Sequence, residues 1–205
     1  MLLFDLDGTL VDSRVVIARH WGLFAERQGL ELDAILAVCH GRRSAETIAE
    51  VAPWLDADAE AAILDMGEEV DTDGLVVVPG APELLASLDG AGWAVVTSGH
   101  RALATRRLGA VDLPLPAVMV CGDDVERGKP DPEGFVRAAS LLGADPAACI
   151  VVEDAPAGIA AGVAAGATVV AVATTHRREE LAGADAVVGD LHELAQLLAA
   201  GSLAR

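Results

Sequence analysis

The chain of 205 residues has no tyrosine and only three tryptophans and three phenylalanines, so its core has to be packed from aliphatic and small side chains. Lysine is almost absent: Lys129 stands alone, and every other formal positive charge is an arginine. Positive charge is scarce as a whole, with 14 Lys and Arg against 32 Asp and Glu and a formal net charge of −18. That balance excludes a protein whose main task is neutralising nucleic-acid phosphates or an anionic membrane surface, so neither is expected as a partner. An anionic ligand has to be met by a local cluster of positive groups. The three cysteines, Cys39, Cys121 and Cys149, are odd in number, far apart and free of CxxC spacing, which argues against a disulfide framework or a structural zinc site. Reduced thiols and a cytoplasmic location are the expectation. No apolar run approaches the roughly 18 residues of a membrane span. The chain reaches Asp5 after four residues, so no signal peptide is expected.

What is present is a rhythm of short apolar runs: Leu2 to Phe4, Trp93 to Val96, Ala117 to Val120, Ile150 to Val152 and Thr168 to Val172. Continuous aliphatic character over about 4–6 residues predicts strands buried on both faces, as in a parallel sheet. Helical patterns separate them. Asp131-Pro132 leads into Phe135, Val136, Ala139 and Leu142 and closes at Gly143, with cap, first-turn proline and terminal glycine in order. The same grammar predicts helices from Pro82 to Leu88 closing at Gly90, from Arg101 to Leu108 closing at Gly109, and from Asp190 to Ala200. Strand and helix alternate over 80–205, which predicts an α/β fold with a Rossmann-like parallel sheet and helices on both faces. Between Ser13 and Val78 apolar residues recur at helical spacing with no convincing strand. An all-helical insertion is expected there, giving a core of residues 1–12 and 79–205 and a cap of residues 13–78.

Four polar clusters follow four of the expected strands, where open α/β sheets build their sites. Asp5-Leu6-Asp7-Gly8-Thr9-Leu10 places two carboxylates at i,i+2 as the chain turns, an arrangement that also serves an ordinary loop start or helix cap. Thr97-Ser98-Gly99 offers a hydroxyl and backbone N–H groups to a phosphate oxygen, or simply caps a helix. Gly128-Lys129-Pro130 presents the one ammonium of the chain, suited to a phosphoryl group or simply solvated in its loop. Glu153-Asp154 emerges from an aliphatic strand and can complete a hard oxygen site for Mg²⁺ with Asp5, or cap the helix that follows.

Taken together, DLDGTLVDS (5–13), VVTSG (95–99), GKPDPEGF (128–135) and VVEDAPAGIAAG (151–162) resemble the haloacid dehalogenase-like hydrolases over essentially the full chain. Within that superfamily the sequence resembles helical-cap phosphatases of the glycerol-3-phosphate and 2-deoxyglucose-6-phosphate type. The resemblance implies a Mg²⁺-dependent sugar-phosphate phosphatase acting on a small phosphorylated metabolite. Asp5 is then the nucleophile that becomes an aspartyl-phosphate, and Asp7 the acid and base, its main-chain carbonyl also on the metal. Asp154 is the further carboxylate ligand, with Glu153 a ligand or its support. Thr97, Ser98 and Lys129 would hold the phosphoryl oxygens. In the cap, Arg42 and Arg43 after His40-Gly41 are expected to face the site, with Arg43 reaching the substrate. His100 either bonds the leaving group or starts a helix at the surface.

Two other readings compete: a β-phosphoglucomutase-like mutase and a catalytically silent regulatory or binding protein of the same fold. β-Phosphoglucomutases carry a histidine ten residues after the second aspartate, where this chain has Ile17, and use cap lysines, of which this chain has none. A catalytically silent relative should have lost a charged member of the site, whereas Asp5, Asp7, Lys129 and Asp154 are all retained.

Overall fold

The computed structural model describes residues 1–88, 92–201 and 203. The aliphatic runs form strands β1 (Leu2–Phe4), β4 (Trp93–Val96), β5 (Val118–Val120), β6 (Ile150–Glu153) and β7 (Thr168–Val172), joined by a further strand β8 (Ala186–Val188). These six make one parallel sheet in the order β5-β4-β1-β6-β7-β8. A second, two-stranded antiparallel pair, β2 (Val11–Asp12) with β3 (Val76–Val77), lies where the chain leaves and re-enters the core.

Alternate residues of β1 point to opposite faces, and each face has its own apolar cluster. Leu2 and Phe4 pack with Val95, Val152 and Val170 under helices α5 (Ala81–Ser87), α6 (Arg101–Ala110) and α9 (Leu191–Ala199). Leu3 packs with Ala94, Val151 and Val169 under α7 (Glu133–Leu141) and α8 (Pro156–Ala164). The sheet is therefore doubly wound, as expected. Between β2 and β3 run helices α1 (Arg14–Gln28), α2 (Leu32–Cys39), α3 (Ser44–Val51) and α4 (Ala57–Val70), which bury a third cluster around Trp21, Phe24, Ile35, Ile48 and Leu64.

The differences from expectation have local causes. α6 runs through Gly109 to Ala110 and stops where Asp112 takes a left-handed conformation at φ 55°, not at the glycine. An added Cβ at Gly109 would meet nothing, so no close approach required that glycine. α7 begins at Glu133, with Pro132 in the cap position rather than in the first turn, while Asp131 accepts the Glu133 N–H at 3.0 Å. The stop expected at Gly90 lies outside the described residues. Among the described residues, no helix is long and apolar enough to cross a membrane.

Candidate active site

β1 sits between β4 and β6, with Leu2 level with both Trp93 and Ile150, so three strand ends open side by side. Asp5, Thr97 and Asp154 are the first residues beyond these ends. The Asp5 N–H donates to the Val152 carbonyl at 2.9 Å and that of Thr97 to Val120 at 3.0 Å, which extends the ladder by one residue and fixes where the side chains start. Beyond Asp5 the chain turns back at Gly8, φ +84°, where a Cβ would lie 2.1 Å from Asp154 Oδ2. Only glycine allows this turn to approach Asp154 so closely.

Lys129 reaches the same point from the loop before α7, its ammonium 5.2 Å from the centre of the Phe135 ring. Its three N–H bonds go to Asp5 Oδ1 at 2.5 Å, Glu153 Oε1 at 2.6 Å and the Val96 carbonyl at 3.0 Å. Glu153, fully buried, accepts the N–H groups of Asp154 (3.0 Å) and Ala155 (3.1 Å) on its other oxygen. A Cβ on Gly158 would lie 1.6 Å from Glu153 Oε1, so the glycine at the start of α8 makes the space for this carboxylate. Asp154 accepts the Thr9 hydroxyl at 3.4 Å and that of Thr175, and Thr174 donates to the Gly8 carbonyl.

Three buried carboxylates thus face one ammonium, a formal surplus of two negative charges. Burial pushes the Asp5 carboxyl up to about 8, with Lys129 opposing the rise and Glu153 and Asp7 adding to it. Asp154 is raised for the same reason, burial first and then the charges of Asp5 and Glu153. Asp5 Oδ2 is buried with no hydrogen-bond partner, and one oxygen each from Asp5, Glu153 and Asp154 lies within 4.8 Å of the others. An orphaned carboxylate oxygen, an all-oxygen donor set and a charge deficit of two fit a hard divalent cation such as Mg²⁺. Asp5 offers it an oxygen with no partner and Asp154 oxygens that meet only hydroxyls, one of them at 3.4 Å, whereas both oxygens of Glu153 are engaged by Lys129 and the backbone.

Above Asp5 opens a cavity of about 350 Å³ between the sheet ends and helices α1 to α4. Asp5, Asp7, Thr97, Ser98, His40, Arg42, Arg43 and His100 all line it, while Lys129, Glu153 and Asp154 lie outside that lining, grouped around Asp5. The cap candidates are less free than expected. Arg42 pairs with Glu50 at 2.6 Å, and Arg43 pairs with Glu46 and donates to the Val125 and Glu126 carbonyls of the core. His100 Nδ1 accepts the Leu103 N–H at 3.3 Å as the cap of α6. His40 packs edge-on against His176 at 5.7 Å, and burial with that neighbour lowers its pKa. Ser98 donates its hydroxyl to the Gly41 carbonyl at 2.8 Å, another tie between core and insert.

Several residues of the site were not anticipated. Thr174, Thr175 and His176 follow β7 after Ala173, at a fifth strand end whose polar residues carry the same signal as the other four. Arg107 pairs with Asp7 at 2.6 Å and with Glu68 at 2.5 Å, and Ser13 donates to Asp7 at 2.8 Å. Burial pushes the Glu68 carboxyl up to about 7 against the pull of Arg107. Arg107 shares the 3–4 spacing of Leu103, Ala104 and Leu108 on the buried face of α6, which was its one trace in the sequence.

The fold and the site define a class: a doubly wound α/β hydrolase with its acids at the strand ends and a helical insert above them. Residues 1–166 match the haloacid dehalogenase-like hydrolases. The chain is 42% identical over 200 residues to hexitol phosphatase A of Escherichia coli (strain K12), spanning 95% of this chain and 91% of that protein. It is 34% identical over 218 residues to 2-deoxyglucose-6-phosphate phosphatase 1 of Saccharomyces cerevisiae, spanning 95% and 89%. A solved hydrolase from Pseudomonas syringae superposes with a TM-score of 0.87 at 31% identity over 96% of both chains. The chain belongs to the haloacid dehalogenase-like hydrolase family.

Proposed function

We propose that the chain is a Mg²⁺-dependent phosphatase that hydrolyses small phosphorylated sugars or polyols through an aspartyl-phosphate on Asp5. The observation that carries this reading is the Asp5 carboxylate at the cavity floor, one oxygen held by Lys129 and the other without a partner. Mg²⁺ held by Asp5, Asp154 and the Asp7 main chain would supply the charge that lets a carboxylate approach a phosphate dianion.

Asp5 attacks phosphorus and the ester P–O bond breaks, with Asp7 giving its proton to the leaving alkoxide oxygen. Water then attacks phosphorus, Asp7 takes the proton, and the bond to Asp5 breaks to give inorganic phosphate and the free carboxylate. Thr97 and the Ser98 N–H hold phosphoryl oxygens. Lys129 first orients Asp5; once esterification removes the Asp5 charge, its N–H is released to the phosphoryl group. Glu153 keeps Lys129 in place. Residues 13–78 act as the cap, in which Arg43 anchors the insert to the core carbonyls and His40 and Arg42 meet the rest of the substrate, joined by His100 from the core turn before α6. Ile17 on the cavity wall, where mutases carry histidine, favours transfer to water.

The names of the hexitol and deoxyglucose phosphatase relatives support the substrate class, and the cavity volume suits a phosphorylated sugar. The three buried free thiols suit the reducing cytoplasm. Phosphate release from hexitol, hexose and glycerol phosphates should require Mg²⁺, stop on chelation and be lost in Asp5→Asn. Isomerisation of β-glucose 1-phosphate without release would replace the phosphatase reading by a mutase. No turnover of any ester would replace it by a silent relative.

A further inference from the structure

Arg107 belongs to none of the four sequence clusters, yet it is the most deeply buried arginine of the site, with its side chain 3% exposed. A guanidinium loses its water at a cost that only well-placed partners offset. Here the partners come from two different parts of the molecule. Nη1 contacts Asp7 Oδ1 at 2.6 Å, in the core turn after β1, and Nη2 contacts Glu68 Oε2 at 2.5 Å, on α4 of the insert. The same Asp7 oxygen accepts the Ser13 hydroxyl at 2.8 Å from the residue just before α1. Arg107 Nε is buried with no partner, so the planar fork is committed to these two carboxylates.

We propose that Arg107 is a positioning residue that holds the Asp7 carboxylate over the cavity, and that Glu68 makes this positioning depend on the insert being seated on the core. The inference rests on the reading of Asp7 as the proton donor to the leaving group. With the insert seated, Glu68 orients the guanidinium, the guanidinium orients Asp7, and Ser13 fixes the same oxygen. With the insert displaced, Glu68 and Ser13 leave and Arg107 retains one partner on a long flexible stem. Proton donation is thus assembled only when the cavity is closed to water.

The leaving group separates this role from a structural one. A hexitol phosphate expels an alkoxide and needs the proton, whereas p-nitrophenyl phosphate expels a stable phenolate and does not. Asp7 misplacement should leave the first-turnover burst of p-nitrophenolate intact and slow hexitol phosphate turnover. In Arg107→Gln with Mg²⁺ present, kcat on a hexitol phosphate should fall about 10²-fold, within the span of general acid catalysis, with KM within about threefold and the burst rate within about threefold. Glu68→Gln should show the same pattern at about tenfold. Arg107→Gln leaves two buried carboxylates without their cation, so Arg107→Lys, which keeps the charge but loses the two-point fork, is the folding-safe variant and should fall between the two. Unchanged turnover, or equal loss in burst and in hexitol phosphate turnover in Arg107→Lys and Glu68→Gln, overturns the proposal. Asp7→Asn tells the two readings apart. Normal hexitol phosphate turnover in that variant removes the acid role itself, while an inactive Asp7→Asn beside unaffected Arg107 variants removes only the Arg107 proposal.

Discussion

Replacing Lys129 by methionine keeps most of its length and apolar stem but deletes the one ammonium that faces Asp5 and Glu153. The stem should still pack over Phe135. What is lost is the cation between two carboxylates, 4% and 0% exposed, that have no water to turn to. Breaking a buried pair by removing one partner costs about 3–5 kcal/mol, because the surviving charge is left uncompensated. For a chain of this size each kcal/mol moves Tm by about 2–4 °C, so the fall should be about 6–20 °C at pH 7 without metal. Mg²⁺ should recover part of it by supplying positive charge to the same acids. Raising the pH should enlarge it. Lys129 opposes the rise in the pKa of Asp5, which stands at about 8, and of Asp154, so without it these carboxyls hold their protons to higher pH, and the penalty grows between pH 7 and pH 9, where Asp5 of the parent ionises and that of the variant does not. Differential scanning calorimetry of parent and variant at the two pH values, with Mg²⁺ and with chelator, measures all three effects. A variant that melts within about 2 °C of the parent at pH 7 without metal would refute the reasoning, since no uncompensated buried pair would then have been made.

Gly8→Ala should reduce phosphate release by about 10²-fold or more, because its Cβ would press on Asp154 Oδ2 at 2.1 Å in a backbone conformation with φ +84°; activity within twofold of the parent would contradict this. Asp5, raised to about 8 from 3.8, binds its proton more tightly when folded than unfolded, so the stability it contributes is present below pH ~4 and is lost as pH rises toward 8. Metal-free Tm should therefore drop from pH 5 to pH 8, and the rise in Tm on adding Mg²⁺ should be larger at pH 8; equal rises at both would count against a cation on these acids. Cys39 and Cys121 are buried, and burial raises both thiols to about 12, so neither should react with Ellman's reagent at pH 8 until the chain is unfolded. Fast labelling of the native protein at either thiol would contradict this, and at Cys39 it would show that the cavity wall opens.

The parallel sheet was legible because strands buried on both faces must be aliphatic throughout, which the runs at Leu2, Trp93, Ile150 and Thr168 display. Once these strands lie side by side, Asp5, Thr97 and Asp154 are brought together whatever their separation in sequence, and Lys129 follows from its loop. β8 escaped because Ala186 to Val188 has only two valines behind an alanine, in a chain where alanine marks helices as often as strands, and is bounded by Asp185 and Gly189. β2 and β3 are two residues each, too short for any period to register. Glu68 and Arg107 escaped for a different reason. Pattern reading assigns charges to the solvated face of a helix, and nothing local reveals that two such charges, 39 residues apart, face each other and Asp7 in a dry interior. The arginines of the cap loop line the cavity, but their partners were not legible: Glu50, which pairs with Arg42, lies eight residues on, and Arg43, besides Glu46, meets the distant Val125 and Glu126 carbonyls of the core.

The central claim is that Asp5 carries the phosphoryl group. Acid quenching during turnover of p-nitrophenyl phosphate with Mg²⁺, followed by peptide mass mapping, tests it directly. The account predicts one phosphoryl group on the N-terminal peptide, localised to Asp5, and none in Asp5→Asn. Phosphate release that persists in Asp5→Asn, or a covalent phosphoryl group found on a different residue, would contradict it.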